Sequence, residues 1–221
     1  MKKLIETIKN IFKIEELRKR ILFTLALILV YRFGSFVVIP GINPESLSAL
    51  QQQVEGNGLM GLLNIFSGGA FSNASIFALG IMPYISASIV IQLMGIVVPY
   101  FQKLQKEGES GRRKINQWTR YLTIIVLLLQ GPAYLANLHA QLPDAAFVLG
   151  RGSVLFTIGA TIVLIAGTMF VMWLGEKITD KGIGNGVSLI IMVGIIARLP
   201  HALMAELNTR FTEATGGLVM L

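Results

Sequence analysis

The chain has no cysteine and only two histidines, His139 and His201. A disulfide framework and a thiolate metal site are therefore excluded, and two imidazoles are too few for a typical metal cluster. Charge is also scarce: 14% of the 221 residues are Asp, Glu, Lys or Arg, against about 25% in an ordinary soluble domain. The twelve carboxylates fall in predicted loops and tails, whereas proton relays place ionisable groups within the membrane. The run GIGNG at Gly182–Gly186 fits neither the dinucleotide fingerprint nor the P-loop. No nucleophile–base pair or metal set is visible, so catalysis, cofactors and metals are not expected. Asn73-Ala74-Ser75 has the form of a glycosylation sequon and is read as a chance match.

What is abundant is apolar, 53% of all residues. A helix needs roughly 20 mostly apolar residues to cross about 30 Å of hydrocarbon. Five stretches are expected to do so: 21–39, interrupted by Arg32; 76–100, with Gly80 and Pro83 near its start; 121–140; 153–174; and 187–203, the weakest. Between them lie an external segment at 40–75, cytoplasmic loops at 101–120 and 175–186, and an external loop at 141–152. Residues 204–221 form a last external segment, whose end, TGGLVML, reads as the start of a further apolar run. The fold class is an all-α polytopic membrane protein.

The net charge of +7 has a topological source. Seven Lys and Arg fall in Met1–Arg20, six in Phe101–Arg120 and two in Gly175–Gly186, fifteen of the nineteen. By the positive-inside rule these segments are cytoplasmic, which puts the N-terminus inside. No RNA-binding motif accompanies the charge, so direct nucleic-acid recognition is not expected. The apolar run at 21–39 lacks a small-residue cleavage site and is read as retained, not as a signal peptide. Leu4, Ile8 and Ile11 share a helical face, so residues 1–20 form either an interfacial amphipathic helix or a solvated charged tail. Arg32 either makes a buried polar contact or snorkels to an interface.

Ser67–Ser88, SGGAFSNASIFALGIMPYISAS, is too apolar for a surface loop and too broken for an ordinary spanning helix. Non-helical backbone at membrane depth survives only when protein buries it or it lines a wet cavity. A short apolar patch, GLLNIF at Gly61–Phe66, precedes it. Two readings fit: a re-entrant half-helix with a flexible break at Gly68-Gly69, or an external loop packed on the outer surface. Interrupted helices are a common device of transport proteins. A secondary transporter half would also carry midplane ionisable groups, and a purely structural membrane protein would not need the Gly-Gly break.

Asn64–Leu93, Lys106–Tyr121, Gly167–Ile191 and Arg32–Ile42 together resemble, in order, blocks of the SecY family of protein-translocase channels. The resemblance covers the first half of that ten-span, inverted-repeat architecture. It implies a five-span half-channel with a re-entrant plug helix. It implies an aliphatic pore ring of Ile81, Ile85, Val187 and Ile191, whose i, i+4 spacing alone would suggest plain helix packing. It implies a plug at about 60–71 with Leu62, Leu63 and Phe66 as its apolar contacts and Gly68 and Gly69 as its hinge. It implies a lateral gate at Ser86, Ile89, Val90 and Gln92, residues that ordinary span packing would also accommodate. Arg112, Arg113 and Lys114 fall in the first cytoplasmic loop. The partners implied are SecE and SecG, the SecA motor or a translating ribosome, secretory polypeptides with signal sequences, and the lipid of a bacterial cytoplasmic membrane.

The charge bias makes an orientation test direct. Single cysteines introduced at Lys106 and Lys181 are expected to label from the cytoplasmic side and one at Arg151 from outside; labelling of position 151 only from the cytoplasmic side would reverse the topology.

Overall fold

The computed structural model describes residues 13–56, 58–148, 150 and 153–212. The amphipathic segment expected at 1–20 therefore lies mostly outside the described residues, as does the tail from 213.

Helix α1 spans Glu15–Gly34. Glu15 and Glu16 sit at its positive N-terminal end and pair one turn on with Lys19 and Arg20, at 2.8 and 2.9 Å. The helix stops at Gly34, short of residue 39, because Ser35 turns its N–H back onto the carbonyls of Tyr31 and Arg32. A 3₁₀ turn at Pro44–Ser46, capped by the Asn43 side chain, leads into α2 (Leu47–Gly56). Helix α3 (Gly58–Phe66) is the short apolar helix expected at 60–71. It ends earlier than expected, because Gly68 and Gly69 adopt left-handed backbone angles, φ +65° and +91°.

Residues 67–81 are then a chain of turns, and regular helix resumes only with α4 (Met82–Val97), six residues after the expected start. Pro83 occupies the first turn of α4, where its missing N–H costs nothing. Pro99 starts α5 (Pro99–Lys106), whose axis is turned 98° from α4. Helix α6 (Glu109–Gln141) begins well before the apolar run and continues through Pro132. Helices α7 (Val154–Lys181) and α8 (Gly186–Thr212) complete the described chain. By length and apolarity α6 and α7 can each cross a bilayer, and the bent α4–α5 pair counts only if taken as one span. The apolar part of α8, Gly186–Pro200, is shorter.

Two cores organise the bundle. One gathers Ile39, Leu50, Val54, Phe71, Tyr134, Leu135, Leu138, Phe147, Phe156 and Leu164, from α2, α6, α7 and the loops between helices. The other gathers Tyr31, Ala70, Phe77, Ile81, Val171, Leu174, Ile178 and Ile190, from α1, the broken segment, α7 and α8. At one end three loops are laced by backbone bonds: Ile39 N–H to the Ala74 carbonyl, Ile76 N–H to Val37, Asn43 N–H to Ala146 and Val148 N–H to Gly41, at 2.9–3.0 Å.

Phe77 wedges this arrangement together. It stacks on Tyr31 and Phe170, at centroid separations of 6.1 and 6.0 Å. Its ring lies where a side chain on Gly34 would stand, and the Ile76 carbonyl lies where one on Gly167 would stand. Because the obstacle at Gly167 is backbone, Gly167→Ala is expected to cost about 1–3 kcal/mol by overpacking. Gly159, on the same helix, has open space around its Cα, so Gly159→Ala is expected to be neutral or slightly stabilising. Thermal unfolding of the detergent-solubilised protein distinguishes the two; equal effects would remove the steric argument.

Candidate functional site

The broken segment at 67–81 is almost entirely buried, so each of its polar backbone groups needs a partner. The sequence supplies them locally. Asn64, 2% exposed, accepts the Ser72 N–H on its Oδ1 at 3.1 Å, and its carbonyl accepts the Gly69 N–H at 2.9 Å. Ser67 Oγ accepts the Phe71 N–H and donates to the Asn64 carbonyl, both at 3.1 Å. Ser72 Oγ donates to the Gly69 carbonyl, and Ser75 Oγ accepts the Phe77 N–H. Three bonds come from helices packed around it. Tyr134 Oη of α6 donates to the Phe71 carbonyl at 2.9 Å, Tyr31 Oη of α1 to the Ser67 carbonyl at 3.3 Å, and Arg32 Nη1 to the Gly68 carbonyl at 2.9 Å. Arg32 thus makes a polar contact inside the bundle, while its guanidinium also lies over the Phe36 ring at 5.3 Å.

The glycines have steric roles here besides their φ angles. A side chain at Gly68 would meet Arg32 Nη1 and the Gly194 Cα, each at 2.9 Å. On α8, a side chain at Gly194 would meet the Phe66 carbonyl at 3.1 Å. The turn after α3 therefore packs backbone against backbone on α8.

Four aliphatic side chains lie in or against the second core. Ile81, 3% exposed, is the capping residue just before α4, and Ile85 follows one turn later. Val187 and Ile191 occupy the first turns of α8. Ile81 belongs to the buried cluster that also holds Ala70 of the broken segment, and Ile85, Val187 and Ile191, partly buried, pack against it. The face of α8 that carries Ile191, with Ser188, Met192, Ile195 and Ile196, is open on its other side.

The remaining expected residues are distributed differently. Leu63 packs against the first core, whereas Leu62 and Phe66 are 54% and 38% exposed and stand outside both buried clusters. Ser86 lines a mostly apolar cavity of about 350 Å³ between α3, α4 and α6, shared with Met60, Leu63, Phe71 and Tyr134. Ile89, Val90 and Gln92 lie on the exposed face of α4. Gln92 donates to Ser88 at 3.2 Å, and Val90 borders an aromatic groove of Tyr100, Trp118 and Tyr121. Arg112, Arg113 and Lys114 lie exposed in the first turns of α6, with Arg113 on Glu109 at 2.8 Å and Lys114 on Glu107 at 3.5 Å. Exposed pairs of this kind are worth about 0–1 kcal/mol each, so they leave the basic groups available.

Sequence reasoning missed the supporting shell: Tyr31, Asn64, Ser67 and Tyr134. Arg32 was the available signal, since a lone cation in an apolar run needs a nearby acceptor. The polar residues Asn64, Ser67, Ser72 and Ser75, dense around a Gly-Gly break, carried the rest.

The SecY family model matches residues 75–221. Over 188 residues, 85% of this chain, the sequence is 50% identical to the protein translocase subunit SecY of Escherichia coli K12, covering 42% of that protein. It is 50% identical to that of Pseudomonas aeruginosa over 86% of the chain and 42% of the relative, and 46% identical to that of Streptomyces scabiei over 87% and 45%. The chain spans about half the length of the curated relatives it matches. With its apolar helices and buried broken segment, the chain is a membrane-embedded member of the SecY family and corresponds to part of a protein-translocation subunit.

Proposed function

We propose that this chain forms the N-terminal half of a channel that conducts unfolded secretory polypeptides across a bacterial cytoplasmic membrane and releases membrane-protein segments into it. The reading rests on one observation above all: Ile81 is buried in the apolar core beside a buried, non-helical turn, and Ile85, Val187 and Ile191 pack against that same core. Aliphatic side chains at a constriction exclude ions by dewetting and offer no fixed hydrogen bonds to a passing chain, so passage can tolerate many sequences. Residues 60–71 act as the plug under this ring, with Gly68 and Gly69 as its hinge. Ser86, Ile89, Val90 and Gln92 form one wall of a lateral gate toward lipid, which their place on an exposed face of α4 favours. The second half of the ring and gate belongs to the rest of the relatives' length. SecE and SecG would complete the complex, and SecA or a translating ribosome would supply the energy. Arg112, Arg113 and Lys114 sit where such a cytoplasmic partner would dock.

Two measurements on the complete translocase test this. Polar replacement of Ile81 or Ile191, for example by Asn, is expected to hydrate the constriction and raise resting ion permeability of proteoliposomes severalfold; unchanged conductance across several polar substitutions would mean that these side chains only pack. An oxidisable cysteine pair joining residues 66–70 to α8 near Gly194 is expected to block preprotein transport when oxidised and restore it when reduced. Transport at the normal rate through the oxidised complex would mean that the segment is not a plug.

A further inference from the structure

An arginine inside an apolar run is costly, and its usual justification is a specific partner. Arg32 has that partner in the Gly68 carbonyl, 2.9 Å away across 36 residues of sequence. The acceptor is the backbone of the first hinge glycine. A Cβ at that residue would stand 2.9 Å from both Arg32 Nη1 and the backbone Gly194 Cα, so glycine allows the turn to sit this close to α8. The left-handed φ of +65° at Gly68 is one that other residues rarely adopt. The neighbouring residue on α1 adds a second donor, Tyr31 Oη to the Ser67 carbonyl at 3.3 Å. Phe36, one turn further along the chain, covers the guanidinium from the other side at 5.3 Å.

Apolar contacts hold the same element through Leu63, Ala70 and Phe71, which pack in or against the two cores, but not through every apolar side chain. Leu62 and Phe66 are more than a third exposed, and the turn meets α8 through the bare Cα of Gly194. Alongside those apolar contacts, α1 places two polar donors on the carbonyls of this turn, at Ser67 and Gly68.

We propose that Arg32 is a positioning residue that latches the hinge of the plug. Its charged donor holds the Gly68 carbonyl in the closed arrangement, and swinging the turn aside requires that bond to be given up. Tyr31 acts as a weaker second donor. This rests on the plug reading above and adds the residue that sets how readily the plug leaves. A hydrogen bond from a charged donor is typically strong enough that its loss shifts such an equilibrium about tenfold or more toward the open side.

The test uses the complete translocase in proteoliposomes, with two preproteins that differ only in the strength of their signal sequence. Arg32→Met keeps the stem and removes the donor; Arg32→Lys keeps a charged donor; Tyr31→Phe removes the weaker bond. The expected result is that Arg32→Met raises transport of the weak-signal preprotein about tenfold relative to the strong-signal one. Tyr31→Phe should raise it less, and Arg32→Lys should stay near wild type. A merely structural role would lower both preproteins together and would not be rescued by lysine. If Arg32→Met leaves the ratio unchanged while the oxidised plug-to-α8 cysteine pair still blocks transport, the latch is wrong and the plug stands. If the oxidised pair fails to block, the plug reading itself fails. Should Arg32→Met not assemble, Arg32→Gln and Tyr31→Phe decide: a raised ratio in both supports the latch, and wild-type ratios in both overturn it.

Discussion

Every buried peptide group in a membrane protein must find its hydrogen-bond partner within the protein, because hydrocarbon offers none. This one constraint organises the chain around residues 67–81. A helix satisfies itself; a run of turns cannot. The segment can exist beside α1, α4, α6 and α8 only because Asn64, Ser67, Ser72 and Ser75 serve its backbone from within, and Tyr31, Arg32 and Tyr134 serve it from neighbouring helices. The glycines of the neighbourhood follow from the same demand, since partners must come close enough to bond. The two cores then pack around a segment whose polar groups are already accounted for.

The long helices were legible in the sequence because apolar runs bounded by charge dictate them directly, whereas α2 and α5 fall in segments read as an external segment and a cytoplasmic loop. The limits of the long helices were less legible. Helix α1 ends at Gly34 instead of residue 39 because Ser35 folds back on the preceding carbonyls, a local competition that hydropathy does not register. Helix α6 starts at Glu109, far upstream of its apolar stretch, because the amphipathic first turns pack on α5 and need no membrane to be helical. The break at Gly68-Gly69 was plain in the sequence, but not that helix would be absent from 67 through 81. That length is set in part by tertiary bonds to Val37, Tyr31 and Tyr134, which no local pattern encodes.

The candidate site divides along the same line. Ile81 with Ile85, and Val187 with Ile191, each have a spacing that defines a face, but only the fold brings the two faces to one core. Leu62 and Phe66 illustrate the reverse. As apolar residues of a short helix they suggested buried contacts, yet helix α3 turns them outward and buries Asn64 instead. A polar residue on the inward face of an apolar helix is the detail that a hydrophobicity pattern ranks last and that the backbone of the next turn requires first.

The two ends of the bundle are fastened by different forces. Where residues 37–43, 74–76 and 146–148 meet, the ties are loop-to-loop hydrogen bonds between backbone groups. Toward the opposite end, α6 and α7 are joined by a two-point ion pair between Arg120 and Glu176, of which the arginine is nearly half exposed. The pair is at contact distance, well inside the roughly 8 Å screening length at physiological strength, and its carboxylate is mostly buried, so salt weakens it only in part. A stretch of 20 helical residues is about 30 Å long, so a tilt of about 5° at the laced end moves the far end by roughly 2.5 Å. Movement at that end has to break this ion pair and the bond from the Ile183 N–H to Thr24 Oγ1, whereas movement at the laced end has to break backbone hydrogen bonds between three loops.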